Sequence, residues 1–193
     1  CNGPQGFAEN MRIIVGKSRG THLAEVGKGD VDAHLRPTSD RVRESLFSML
    51  ASHNVIHGAR VLDLFAGTGA LGLEALSRGA RQVVFVENGR VAQKLIDENI
   101  KKLRAEAETT LMRSDATTLG DWIAAPFDLV FVDPPYGKAM GQLALTKALA
   151  GGWLTPDAMI VWEENAAMDP PDGFTRIDKR KYGDTWITLL RVT

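Results

Sequence analysis

The chain has 193 residues, 44% of them hydrophobic and 24% charged, which are the proportions of an ordinary globular domain. A chain of this length buries roughly 70% of its unfolded surface, so disordered, collagenous and disulfide-scaffold classes are excluded and one domain with a small appendage is expected. The 23 Lys+Arg against 24 Asp+Glu give a formal net charge of −1, too balanced for a protein that coats nucleic acid indiscriminately through its phosphates.

Residues 1–10 lack periodicity and precede Met11; they read as leader or added residues and are set aside from the fold. Cys1 is the only cysteine, so no internal disulfide can form and a reducing, cytoplasmic compartment is expected. No apolar run approaches a membrane span of about 18 residues, and no signal-peptide pattern opens the chain. Residues 11–51 form an N-terminal extension. Within it, Arg12-Ile13-Ile14-Val15 and Thr21-His22-Leu23-Ala24-Glu25-Val26 flank Gly16-Lys17-Ser18-Arg19-Gly20, a β-hairpin with a basic tip. After a polar loop, Ser39 or Asp40 caps a helix whose apolar positions Val42, Leu46, Met49 and Leu50 follow the helical period.

Residues 52–193 change to an alternating rhythm and form the main domain. Strands are expected over 61–65, 82–86, 109–112, 127–132 and 158–162, with helices over 67–78, 91–103 and 143–149. Such alternation gives an α/β fold, a mostly parallel sheet with helices on both faces. The segment 174–192 breaks the rhythm: two β-rich runs meet at Tyr182-Gly183-Asp184, an antiparallel C-terminal hairpin on the sheet edge.

Gly67-Thr68-Gly69-Ala70-Leu71-Gly72 sits where a strand turns into a helix. The glycines allow close backbone approach, and the helix start offers free N–H groups. Glu87, 20 residues beyond Gly67 at the end of the next strand, is placed to accept from two ribose hydroxyls. Together they specify an adenosine-containing cofactor. Asp63 stands four residues before Gly67. A carboxylate there repels a pyrophosphate but favours the sulfonium and amino charges of S-adenosyl-L-methionine, so Asp63-Leu64-Phe65-Ala66-Gly67-Thr68-Gly69 favours the methyl donor over NAD. Asp115, before Ala116, reads either as an acceptor for the adenine amino group or as a helix N-cap.

Asp133-Pro134-Pro135-Tyr136 follows the apolar strand Leu129-Val130-Phe131-Val132. Two prolines stiffen the loop and remove two successive N–H groups, so it presents acceptors alone: the Asp133 carboxylate and the Pro134 carbonyl. Methyl transfer to an aromatic amine needs this, because the nitrogen lone pair is delocalised into the base. Two acceptors gripping its hydrogens turn the lone pair outward and stabilise the developing positive charge. Tyr136 offers a face on which a flipped-out base can stack.

Asp-Pro-Pro-Tyr is the signature of S-adenosylmethionine-dependent amino methyltransferases acting on adenine, cytosine or guanine. Nearly everything after Met11 resembles one such family, the bacterial 16S rRNA guanine-N2 methyltransferases (ribosomal small-subunit methyltransferase D). The matching stretches are Arg12 to Gly16, Leu35 to Phe47, the Asp63 to Gly72 loop and Phe131 to Tyr136. The resemblance implies a Rossmann-like methyltransferase with a seven-stranded sheet, acting on the 2-amino group of the guanine at position 966 of 16S rRNA, by the usual bacterial numbering, within a 30S subunit or its assembly intermediate. It implies Asp133, Pro134 and Tyr136 as catalytic, and Asp63, Phe65, Ala66, Gly67, Gly69, Glu87, Asp115 and Ala116 at the cofactor. It also places Arg36 and Thr38 at the cofactor and substrate mouth. Glu87 is followed by Asn88, where the pattern varies, so only Glu87 carries over.

Basic residues gather at Arg12, Lys17, Arg19 and Lys28, and again at Lys179, Arg180 and Lys181. The first group and the helix after it, with Arg43 beside Arg41 on its polar side, are expected to form the RNA-binding face next to the Asp133 loop, with Pro135 also on the substrate. A solvated helix face is the alternative for Arg41 and Arg43. The four histidines have no metal-ligand spacing, so no metal is expected. Trp122, Trp153, Trp162 and Trp186 read as core, and a monomer is expected. Rival readings are a DNA adenine or cytosine amino methyltransferase, which uses the same loop, and an NAD-dependent dehydrogenase, which Asp63 opposes.

Overall fold

Strand β1 (Arg60–Leu64) alternates strictly: Val61 joins one hydrophobic cluster while Leu62 and Leu64 join another. The same period of two runs through β2 (Gln82–Val86), β4 (Phe127–Val132), β5 (Leu154–Glu164) and β7 (Thr185–Val192), so these strands are apolar on both faces and must be covered on both. With β3 (Thr109–Met112) and β6 (Phe174–Tyr182) they form one seven-stranded sheet in the order β3-β2-β1-β4-β5-β7-β6. Strands β1 to β5 pair in parallel, and β7 runs antiparallel to both β5 and β6. The computed structural model describes residues 11–26 and 38–193.

Helices α1 (Asp40–Ser52), α2 (Ala70–Ser77) and α3 (Arg90–Lys102) pack on one face, and α4 (Met140–Ala150) and a 3-10 turn at Ala116–Thr118 on the other. Ser39 caps α1 by accepting from the Val42 N–H. Leu46, Phe47, Met49 and Leu50 of α1 are buried in the same cluster as strand residues Leu129, Phe131 and Val161, each contributing roughly 1.5–3 kcal/mol of hydrophobic stabilisation. The described part of the N-terminal segment is therefore one layer of the core. The helix expected from Gly67 begins at Ala70, because Gly67 and Gly69 adopt φ of +59° and +80°, outside the helical region.

The N-terminal hairpin is looser than expected, a single antiparallel bridge from Arg12 to His22 with backbone hydrogen bonds joining Ile13 to Thr21 and Leu23 to Met11. A side chain takes over part of its ladder. Glu74 of α2, fully buried, accepts from the N–H groups of Ile14 (2.9 Å) and Val15 (3.1 Å) and from Arg78 Nε (2.9 Å), with Arg43 Nη1 at 3.9 Å. This junction fastens strap, α1 and α2 together. Glu74→Ala takes the acceptor from two part-buried backbone donors and Arg78 and the counter-charge from fully buried Arg43, and we expect it to cost about 3–5 kcal/mol in chemical denaturation. A loss below about 0.5 kcal/mol, the range of ordinary surface changes, would show that the junction holds nothing.

Candidate active site

The strand order reverses between β1 and β4, the switch point at which open α/β sheets leave a crevice beyond the carboxyl ends of their strands. There β1 delivers Asp63 and the glycine loop. Asp63 is buried and its Oδ2 accepts from the Gly72 N–H at 3.0 Å. Burial raises the Asp63 pKa well above the usual carboxylate range; the Gly72 bond opposes the rise and the Glu87 charge adds to it. Gly72 permits this approach, since a Cβ there would lie 2.5 Å from Phe85 and 3.0 Å from Asp63 Oδ2. Phe65 turns the chain with φ +57°, and Ala66 follows it, hydrogen-bonded to the Val86 carbonyl.

Glu87 follows β2 directly and accepts from Gly67 N–H through Oε2 (2.9 Å) and from Gly89 N–H through Oε1 (2.8 Å). Each oxygen keeps a second lone pair for a ligand hydroxyl. Asp115 follows β3; its Oδ1 accepts from Thr117 N–H and Oγ1 at 2.8 and 2.7 Å, so it does cap the turn that opens with buried Ala116. Asp115 and Ala116 nevertheless line the same cleft as Asp63 and Glu87.

Beyond β4, the Asp133 N–H reaches back to the Leu64 carbonyl at 3.5 Å, tying the second motif to the first. Pro134 is buried, Pro135 exposed, and Asp133 and Tyr136 half-buried. Asp133 also titrates well above the usual range, through burial first and then the charges of Glu163, Asp63 and Glu164. The Tyr136 hydroxyl donates to Glu163 Oε1 at 3.3 Å, and burial pushes its pKa up to about 12. Glu163 Oε2 accepts from Thr38 Oγ1 at 3.0 Å, and Glu164 accepts from the Gly137 N–H at 3.2 Å. Burial raises both glutamates. These two acids, at the carboxyl end of β5, were not among the expected site residues. Their signal was present: Glu163-Glu164 follows the apolar run Met159 to Trp162, as Asp133 follows Leu129 to Val132.

Asp63, Glu87, Asp115, Asp133, Tyr136 and Glu163 face one cleft of about 1660 Å³, larger than the roughly 300–1,000 Å³ of a single-ligand pocket. It is lined by Thr38, Asp63, Phe65, Ala66, Gly67, Glu87, Asp115, Ala116, Asp133, Pro134, Pro135 and Tyr136, and Gly69 shapes the loop as the residue before α2. Arg36 lies outside the described residues, as does Lys28. Four expected substrate residues present no surface at the cleft. Arg43 is fully buried, donating to the Arg12 carbonyl and to Asp40 beside Glu74, so it braces the fold and offers RNA no surface. Lys17 and Arg19 stand at the opposite edge of the sheet. The hairpin tip bonds to Ser77 at the far end of α2, and Lys17 pairs with Glu108, just before β3 begins. Arg12 is exposed but paired with Asp40 at 3.3 Å and stands outside the cleft lining.

The donor set suits S-adenosylmethionine. The N–H groups that would cradle a pyrophosphate are already engaged, Gly67 by Glu87 and Gly72 by Asp63, and the buried acid attracts a cation. Fold and site define a Rossmann-like, S-adenosylmethionine-dependent methyltransferase. A family model described as "Conserved hypothetical protein 95" matches residues 11–191. Ribosomal RNA small subunit methyltransferase D of Haemophilus influenzae is 33% identical over 90% of this chain and 89% of its own, and that of Escherichia coli 39% identical over 79% and 74%. The solved structure of the Escherichia coli protein yhhF superposes with a TM-score of 0.79 at 32% identity, covering 95% of this chain and 98% of the other. The chain belongs to the ribosomal RNA small subunit methyltransferase D family.

Asp63→Asn tests the buried acid. A carboxyl whose folded pKa is raised stabilises the fold fully below its unfolded pKa of about 4, and that contribution is lost as pH rises through the folded value. The ligand-free variant, which keeps an acceptor for Gly72, should therefore melt increasingly above the parent as pH goes from about 4 to about 8, while binding S-adenosylmethionine at least about tenfold more weakly. A constant melting difference across that range would contradict the raised pKa.

Proposed function

We propose that the protein transfers a methyl group from S-adenosyl-L-methionine to the exocyclic 2-amino group of a guanine in 16S rRNA, acting on a 30S subunit or its assembly intermediate. The observation that carries the reading is the juxtaposition of an acceptor-only loop, Asp133-Pro134-Pro135-Tyr136, with the acid-lined glycine loop across one cleft. The names of the relatives support the small-subunit rRNA as substrate, and the resemblance of the motifs supports the guanine amino group.

S-adenosylmethionine supplies an electrophilic methyl group on a sulfonium. Asp63 provides negative charge for its cationic end, Glu87 accepts from the ribose hydroxyls, and Asp115 and the backbone around Ala116 border the adenine. The Asp133 carboxylate and the Pro134 carbonyl accept the two hydrogens of the guanine amino group, which orients the nitrogen lone pair for in-line displacement and stabilises its developing charge. Asp133, with its raised pKa, is suited to take the proton the nitrogen sheds after transfer. Tyr136 stays neutral at physiological pH and supports the base with its ring, its hydroxyl held by Glu163.

Methyl transfer to 30S subunits from a strain lacking this modification, with naked rRNA and duplex DNA alongside, should yield 2-methylguanosine by mass spectrometry of the nucleosides. Methyladenine or methylcytosine as the product overturns the proposal. Asp133→Ala should lower the rate about 100-fold or more, the size of effect seen when one preorganised contact is removed, and keep S-adenosylmethionine affinity within a few-fold; retained turnover refutes its role.

A further inference from the structure

Among the described residues, the cations divide into those that make an ion pair and those that make none. Lys17 is paired with Glu108, Arg12 with Asp40 and Arg180 with Asp178. Around the mouth of the cleft, Arg41, Lys138, Lys179 and Lys181 are exposed, and none makes an ion pair with a described residue. Arg41, Lys138 and Lys181 line the cleft itself. Lys179 and Lys181 lie over the half-buried Trp186 ring, their Nζ atoms 6.0 and 5.8 Å from its centroid, which holds two long side chains side by side. Glu25 and Asp184 share the rim without pairing to these cations.

The hairpin that carries the lysines is also fastened to the reacting loop. The β6–β7 turn, Gly183 to Thr185, lines the cleft, and Thr185 adjoins the Tyr136 hydroxyl. Inside the cleft the acids Asp63, Glu87, Asp133 and Glu163 repel phosphate, so an entering nucleotide must leave its phosphates at the rim while its uncharged base goes in.

We propose, on the rRNA methyltransferase reading above, that Lys138 of the catalytic loop, Lys179 and Lys181 of β6 and Arg41 of α1 form the surface that takes the phosphates flanking the target nucleotide. The β6–β7 hairpin, and not the tip of the N-terminal hairpin, is then the principal RNA contact of the catalytic edge.

The test is binding of in vitro transcribed small-subunit rRNA, and of 30S subunits lacking the modification, measured over a range of salt concentrations. Each phosphate contact removed lowers the salt slope by about one. The triple variant Lys138→Ala, Lys179→Ala, Lys181→Ala should lose about three from the slope and at least about tenfold in affinity at moderate salt. Lys17→Ala with Arg19→Ala should stay within about twofold of the parent. Unchanged S-adenosylmethionine binding shows that each variant is folded. A parent that binds RNA with a slope untouched by the rim substitutions, or weakened by those at the tip, overturns this assignment alone. A parent that neither binds nor methylates small-subunit RNA overturns the proposed function with it.

Discussion

Parallel strands end on the same side, and here the neighbouring strands β2, β1, β4 and β5 bring Glu87, Asp63, Asp133 and Glu163 to that one edge. Burial in this half-dry crevice disfavours their charged forms, and the neighbouring like charges add to the effect, so Asp63, Asp133 and Glu163 titrate above their ordinary range. The sheet imposes this crowding through the hydrophobic packing of both its faces, and the local hydrogen bonds only soften it. Gly72 donates to Asp63, Gly67 and Gly89 to Glu87, and Thr38 and Tyr136 to Glu163. The remaining imbalance is a standing preference for a cation, and a methyl donor that is a sulfonium with an ammonium group meets it. On the proposed function, transfer removes the sulfonium charge, so the same crowding favours departure of the spent cofactor.

The rest of the molecule holds that edge in shape. The Glu74 junction ties the N-terminal strap to α2, whose start carries the glycine loop, and buried Asn99 of α3 accepts from Ala24 N–H and donates to the Thr68 carbonyl. From the other side, Thr38 just before α1 reaches Glu163, which holds Tyr136, and Glu164 holds Gly137. The loop from Asp133 to Tyr136 is thus stiffened by its own prolines and by contacts from β1 and β5. Catalysis by orientation of a weak nucleophile demands such rigidity more than it demands a reactive side chain.

Strands and glycine loop were legible in the sequence because each is set by short-range rules. Thr109–Met112 and Phe127–Val132 have the expected limits, since apolar runs bounded by turns leave little choice. Asp63 announced itself as an acid near the end of an apolar strand that leads into the glycine loop, and Asp133 by following β4 directly. Arg43 did not, because helical periodicity in a single helix cannot foresee that Glu74, 31 residues on, makes an arginine tolerable in the core. The position of the N-terminal hairpin was hidden for the same reason: nothing local to Lys17 and Arg19 says that Ser77 and Glu108 bind the tip at the far edge of the sheet. The near-zero net charge also averaged two opposed features, acids inside the cleft and free cations around it.

Calorimetry of S-adenosylmethionine binding near pH 7, repeated in buffers of different ionisation enthalpy, tests the crowded-carboxylate account most directly. A cation entering beside acids with raised pKa values drives them to ionise, so binding should release protons and strengthen as pH rises toward the ligand-free pKa values. The release should shrink in Asp63→Asn and in Glu163→Gln. Binding with no net proton exchange in any buffer, and an affinity flat from about pH 6 to 9, would contradict it.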